Sequence, residues 1–279
     1  MTADRSPDDI KKAVRDHYAA AITQNTGCCC GPRPQNLDPG APTYAELAGY
    51  SGSETAGLPD GVTTFGCGNP VNFMDVTPGQ TILDLGSGAG LDLILASKKV
   101  GPSGRVIGLD MTPEMISTCR QNLAAAGITN ADVIQGEMEQ MPIPDASVDW
   151  IMSNCVINLS PDKAKVFTEA FRVLKPGGRM MISDIVTNNL PDEYRGDILA
   201  WVGCLAGAPE EAEYLRLVRE AGFEDERIIE KSTYDAVSLA TLANDPCGCG
   251  AADRPIDGSI VEKFAGRVSS AKITARKPS

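Results

Sequence analysis

The chain is poor in groups that most enzymes rely on for proton transfer: among 279 residues there is one histidine, His17. It sits in an amphipathic N-terminal segment, far upstream of the glycine-rich stretch described below. That spacing reads as a surface or packing residue, and it leaves little room for a mechanism built on an imidazole base. Positive charge is also scarce. The formal net charge is −12 and the pI about 4.6. A protein that neutralises phosphates needs the opposite sign, so nucleic acid and anionic membranes are poor partners. There is no run of 18 apolar residues, which speaks against a membrane-spanning helix. The first residues, Met1 to Asp9, are polar and acidic with no apolar core of a secretory leader, so the expected location is cytoplasmic.

What is present is sulfur and glycine. Nine cysteines stand at 28, 29, 30, 67, 119, 155, 204, 247 and 249. An odd count without a leader does not fit a secreted disulfide framework. In a reducing compartment, clustered thiols point to metal or metalloid ligation, or to redox chemistry. The sequence is 42% apolar, enough for one core of ordinary size plus appendages.

The stretch Thr81-Ile82-Leu83-Asp84-Leu85 reads as a short buried strand. Gly86-Ser87-Gly88-Ala89-Gly90 follows as a turn, and Leu91 onward opens a helix. Strand, glycine turn and helix bring backbone close to a ligand at a helix N-terminus. The dinucleotide fingerprint G-x-G-x-x-G fails, because its third glycine position is Leu91. From Gln80 strands and helices alternate: strands at 81–85, 105–110, 131–135, 148–153 and 179–186, with helices between them. This predicts an α/β fold with a mainly parallel sheet and helices on both faces. Residues 223–229 are a candidate sixth strand, and 270–276 a seventh, antiparallel one. Before the core, residues 8–24 carry Ile10, Val14, Tyr18 and Ile22 on a four-residue beat, which predicts a helix. Residues 1–78 are expected to form a lid, 79–190 the ligand-binding core, and 191–279 a cover with the last strands and a cysteine-containing insert. A helical stretch over 191–206 is part of that cover.

Ligands of open α/β sheets bind outside the carboxyl ends of the strands. Asp84, Asp110 and Asn154 all fall there. Cys155 follows strand four directly, Cys204 lies in the helical segment after strand five, and Cys67 stands between two glycines just before the core. Any one of these could be a small buried hydrophobe. Cys119, on the helix after strand two, reads as packing.

The spacing D-x-G-x-G-x-G from Asp84 to Gly90 resembles motif I of the class I S-adenosylmethionine-dependent methyltransferases, whose fold is a Rossmann-like, doubly wound, seven-stranded sheet. Four segments then resemble the arsenite methyltransferase family: Gly66-Cys67-Gly68-Asn69-Pro70, Asp84 to Gly90, Val106 to Met115, and Ser153-Asn154-Cys155 through Lys163. Gly203 to Ala208 is similar to its later cysteine segment. The resemblance implies that Cys67, Cys155 and Cys204 bind trivalent arsenic, and that the run Cys28-Cys29-Cys30 supplies an N-terminal cysteine. It implies S-adenosylmethionine as methyl donor. Gly86, Ser87 and Gly88 would pass under its methionine part, Asp84 would meet its ammonium, and Asp110 with Met111 would meet the ribose. Met138 and Glu139 would hold the adenine edge, and Asn154 would face the methionine carboxyl end. Arsenite or methylarsenite would be the substrate, with glutathione or thioredoxin as reductant.

The chemistry is coherent with the residues. Trivalent arsenic is thiophilic, carries a lone pair and has no proton to lose, so no general base is required. Two alternatives remain: a small-molecule C- or O-methyltransferase of the quinone-biosynthesis type, and a non-catalytic thiol-rich metalloid-binding protein. The triple cysteine and Cys247-x-Cys249 exceed one catalytic set and read as accessory capture or redox thiols.

Overall fold

The computed structural model describes residues 6–23, 44–59, 62, 64, 66–189, 207–243 and 262–279. Seven strands form one sheet in the order β3-β2-β1-β4-β5-β7-β6. They are β1 (Thr81–Leu85), β2 (Arg105–Asp110), β3 (Ala131–Gln135), β4 (Val148–Asn154), β5 (Leu174–Thr187), β6 (Glu224–Thr233) and β7 (Val268–Arg276). β1 to β5 run parallel, and β7 lies antiparallel between β5 and β6. The helices are α1 (Pro7–Thr23), α2 (Tyr44–Leu47), α3 (Gly52–Thr55), α4 (Leu91–Val100), α5 (Pro113–Ala125), α6 (Lys163–Val173), α7 (Glu211–Glu220) and α8 (Ala236–Ala243).

Alternate side chains along each strand point to opposite faces, and two cores result. Leu83, Leu85, Ile151 and Ile182 pack with Phe167 of α6 and Tyr214 of α7. Ile82, Trp150, Met152 and Met181 pack with Leu93 and Ile94 of α4, and with Tyr50, Val71 and Met74 from the segment that precedes the sheet. That segment is therefore part of the second core. The chain winds outward from β1 to β3, then returns to lay β4 against the other side of β1. The crevice of an open α/β sheet lies at such a reversal.

The short strands β1, β2 and β3 coincide with the expected spans. Several other boundaries differ, those of α1, β4, β6 and β7 among them, and the differences at β5 and α6 have a clear physical reason. β5 begins at Leu174, which pairs with Val148 before a register shift. The Lys175-Pro176-Gly177-Gly178 stretch, which reads as a turn, stays in the strand because the C-terminal tail supplies its partners: Gly177 N–H donates to Lys277 O and Lys277 N–H to Gly178 O. Helix α6 starts two residues after Pro161, where the Asp162 side chain caps Lys165 N–H at 3.0 Å. A 3₁₀ turn, Ile157–Leu159, fills the gap before it. Thr112 holds the N-cap position of α5, but its side chain makes no cap bond. The expected helical stretch over 191–206, Cys204, Cys28 to Cys30, Cys247 and Cys249 lie outside the described residues.

Candidate active site

At the carboxyl ends of β1, β2, β3 and β4 lies an open cleft. Its floor is the turn between β1 and α4. Gly86 (φ 68°), Gly88 (φ 52°) and Gly90 (φ 94°) all occupy left-handed conformations that only glycine adopts at little cost. Gly86 N–H donates to Leu109 O at 2.7 Å, and Gly88 N–H to a carboxylate oxygen of Asp110 at 2.9 Å. A Cβ on Gly86 would come within 2.4 Å of Val156, whereas one on Gly88 would meet nothing within 4 Å. The turn is closed on one side and open toward the cleft. Beside it, the buried Ser87 hydroxyl has no hydrogen-bond partner among the described residues.

Three carboxylates line this floor: Asp84, Asp92 and Asp110, each less than a tenth exposed. None of them forms an ion pair with a described residue. Burial, then the charges of Asp92 and Asp110, push Asp84 well above the ordinary carboxyl range. Burial raises Asp92 to about 6, although hydrogen bonds from Asn154 and Tyr50 pull the other way. Asp110 is raised by burial too, with the N–H groups of Thr112 and Gly88 opposing. Buried like charges without a counter-ion favour a cationic ligand.

Helix α1 reaches the mouth of the cleft, where Lys11, Val14 and Tyr18 join the lining. Lys11 Nζ lies 2.7 Å from Glu137 and 3.3 Å from Glu139. Burial works to lower the Lys11 pKa, but its bonds to these two acids outweigh it and raise the value. Glu139 is buried and also accepts from the Ser160 hydroxyl at 2.6 Å. Met138 and Met111 complete this side.

The thiol side begins where β4 ends. Cys155 is buried, lines the cleft and holds φ at 62°, a conformation costly for a residue with a side chain. Its N–H donates to Ser183 O at 2.7 Å. Cys67 is buried on the neighbouring loop. Glycine on both flanks is a steric necessity, since a Cβ on Gly66 would stand 2.2 Å from the Asn154 amide and one on Gly68 1.9 Å from Ser183 Oγ. The Asn154 side chain pairs with the Gly68 peptide: Gly68 N–H donates to Oδ1 at 3.2 Å, and Nδ2 donates to Gly68 O at 2.5 Å. Ser270 Oγ donates to Cys67 O at 2.8 Å. Burial, then the charge of Asp184, pushes the ionisation of the buried Tyr214 up. Thus Cys155 lines the cleft, and Cys67, which does not line it, lies on a loop pinned to the same strand end through Gly68 and Asn154.

Sequence reasoning missed Asp92, Lys11 and Ser160, which line this site, and Tyr50, which lies behind it and bonds to Asp92 and Asn154. An available signal for Asp92 was a lone acid inside the apolar run Leu91 to Leu95. Cys119, in contrast, is buried against Gly90 with its thiol pushed up to about 12, which makes it inert packing. His17 is exposed and stacks edge-on with Tyr18.

Sheet order, glycine floor and acidic strand ends define a methyltransferase of the doubly wound class, and the methyltransferase domain family model matches residues 77–222, more than half of the chain. The chain is 42% identical over 240 residues to an arsenite methyltransferase of Halobacterium salinarum, covering 83% of this chain and 61% of that protein. It is 34% identical over 251 residues to the human arsenite methyltransferase, covering 85% and 62%. The crystal structure of an arsenic(III) S-adenosylmethionine methyltransferase from Chlamydomonas reinhardtii superposes with a TM-score of 0.62 at 33% identity, over 84% of this chain and 72% of that one. The chain belongs to the arsenite methyltransferase family. It spans about three fifths of the length of the curated relatives it matches.

Proposed function

We propose that this protein transfers methyl groups from S-adenosylmethionine to thiol-bound trivalent arsenic. The observation that carries the reading is the pairing of the Asn154 amide with the Gly68 peptide. It holds the loop that bears Cys67 against the strand end that bears Cys155, 88 positions further along the sequence, and Cys155 lines the glycine-floored acidic cleft. Cys204 would complete the sulfur set.

The described residues fit the methyl donor. Its ammonium suits the buried Asp84, and its ribose hydroxyls suit Asp110 beside Met111. Its methionine part suits the open face of Gly86, Ser87 and Gly88, where the Ser87 hydroxyl has no partner among the described residues. Met138 and Glu139 would border the adenine, with Glu139 already steadied by Ser160 and Lys11. Asn154 borders the same end of the cleft, but its amide hydrogens are engaged by Gly68, Tyr50 and Asp92, so a methionine carboxylate there would compete for them. When bound, S-adenosylmethionine supplies an electrophilic methyl carbon on a cationic sulfur. The protein's own work is orientation. Each thiol gives its proton to a hydroxyl on arsenic, so that an As–O bond breaks and water leaves as an As–S bond forms. Three sulfurs in a pyramid leave the arsenic lone pair on the open side. No base is needed, which suits a chain whose one histidine is remote. Each methyl gained costs arsenic two electrons formally, and glutathione or thioredoxin would restore them. Residues 1–78 would act as the cover of the cleft, 79–190 as its donor-binding core, and 191–279 as the arsenic-side cover. A reduced, cytoplasmic setting accords with thiols held as ligands; among the described residues no helix is long and apolar enough to cross a membrane.

The test is incubation of the full chain with S-adenosylmethionine, glutathione and arsenite, followed by separation of arsenic species. Methylated arsenicals are expected. Arsenite bound at stoichiometry with no methylated product would favour a metalloid-binding protein instead, and methylation of a quinone precursor with none of arsenite would favour the quinone-type reading.

A further inference from the structure

We infer that Asp92 is a positioning residue that couples the methyl-donor end of the cleft to the cysteine pair, through Asn154 and the Gly68 peptide. The inference rests on the proposed function above. It concerns a residue that neither the glycine motif nor the thiol set includes.

Asp92 sits in the first turn of α4, directly after the glycine floor, and lines the cleft with Asp84. Its two oxygens are divided. One accepts from the Tyr50 hydroxyl at 2.7 Å, the other from Asn154 Nδ2 at 3.0 Å. Tyr50 Oη also receives Asn154 Nδ2 at 2.9 Å, so the three side chains form a closed ring. Tyr50 and Asp92 are buried, and Tyr50 does not line the cleft. The Asn154 amide also pairs with the Gly68 peptide, as described above. One amide hydrogen of Asn154 points to Gly68 O and the other is shared between Asp92 and Tyr50, so these two side chains orient the amide, and the amide holds the loop that bears Cys67 against the strand end that bears Cys155.

The charges around Asp92 make this ring responsive to what occupies the cleft. Asp84 faces it from β1, and Glu54 acts on it from α3, where Glu54 accepts from Asn69 Nδ2 at 3.0 Å. No cationic side chain among the described residues pairs with Asp92. A cation bound against Asp84 would favour the ionised Asp92 carboxylate, which is the form that accepts both hydrogen bonds. Donor-site occupancy would then tighten the hold on the Cys67 loop. By linkage, arsenic on the thiols would tighten the donor site by the same factor.

The experiment uses the full reduced chain, arsenite as the metalloid probe and S-adenosylhomocysteine as a donor-site ligand that carries the same ammonium but cannot react. Arsenite affinity is measured by equilibrium dialysis with and without saturating S-adenosylhomocysteine. In the wild type the ratio of the two affinities is expected to be about fivefold or more. Tyr50→Phe, which touches neither ligand and keeps the ring in the core, should bring that ratio to within about twofold of one, leaving S-adenosylhomocysteine affinity alone unchanged. Asp92→Asn should abolish the ratio as well, because an amide there turns one acceptor into a donor facing the Asn154 amide. Circular dichroism melts of both variants establish that the fold is retained. A wild-type ratio of one with arsenite bound, or a wild-type ratio preserved in folded Tyr50→Phe, would overturn the coupling and leave the proposed activity standing. Failure of the wild type to bind arsenite would overturn both.

Discussion

The glycine floor and the loop and strand end that carry Cys67 and Cys155 lie at the same edge of the sheet but draw on very different distances along the chain. On the donor side, Asp110 receives Thr112 N–H from two residues away and Gly88 N–H from 22. On the thiol side, the bonds that hold Cys67 cross 86 residues to Asn154 and 203 to Ser270. A local turn keeps its shape wherever its own glycines allow the backbone conformation. A pair of thiols from distant segments keeps its shape only as long as the whole sheet, its last strand included, stays assembled. The donor site is therefore a property of a motif, and the sulfur site a property of the fold.

If the two sides are separable, the largest effect should come from the sulfur itself. Cys155→Ser removes a soft ligand from the strand end and should lower arsenite methylation by about 100-fold or more, as misplacement of a reacting atom does, while the affinity for S-adenosylmethionine measured by calorimetry stays unchanged. A matched pair of glycine variants tests the separation more sharply. Gly86→Ala would set a Cβ 2.4 Å from Val156 at φ 68°, and Gly68→Ala one 1.9 Å from Ser183 Oγ. Each overpacking costs about 1–3 kcal/mol, or roughly 5- to 150-fold in an equilibrium. The first should fall on donor binding and the second on arsenite binding. If both variants weaken both ligands equally, the division between motif and fold is wrong.

The same contrast explains what could be read from residues alone. β1, β2 and β3 are short apolar runs bounded by turn residues, and each fell where its own pattern put it. So did Asp84 and Asp110, because a strand end is a local feature. The extension of β5 back to Leu174 depended on a C-terminal tail a hundred residues on, and Lys-Pro-Gly-Gly has no way to announce such a partner. Tyr50 and Asp92 illustrate the same limit inside the site. Nothing near Tyr50 indicates a carboxylate 42 positions later, and an acid in the first turn of a helix is ordinary enough to pass as macrodipole compensation. Asn154 was legible as a cleft residue; its grip on Gly68 was not, because the partner is a backbone.

A smaller effect, on stability, would show how far the carboxylates of the donor side are held against their preference. Burial raises Asp92 from its ordinary 3.8 to about 6 in the folded chain. The folded state therefore binds the proton more tightly than the unfolded chain. Its contribution is fully present below about pH 4 and is lost as pH rises through about 6, by up to about 3 kcal/mol. Other acids titrate in the same window, so the quantity to compare is the melting temperature of wild type minus that of Asp92→Asn between these limits. The difference should fall as pH rises. A flat difference would mean that the Tyr50 and Asn154 hydrogen bonds cancel the cost of burial.

The smallest effect belongs to the mouth of the cleft, where α1 is tied to the donor side by Lys11. The lysine side chain is 19% exposed, but its nearer partner, Glu137, is 51% exposed. Such a pair contributes about 0.2–1 kcal/mol and is screened by salt. Lys11→Met keeps the aliphatic stem over the cleft and deletes only the charge. Donor affinity at low salt should drop by about two- to fivefold, and the gap between wild type and variant should close as ionic strength is raised. Arsenite binding without donor should not change, because Lys11 meets no residue of the thiol loop. A loss much beyond fivefold, or one that persists in high salt, would mean that α1 holds the donor through its apolar contacts at Val14 and Tyr18 and that the ion pair merely sets the register of the helix. In that case the donor side too would depend on a long-range contact, 126 residues from Lys11 to Glu137, and the contrast between the two sides would narrow.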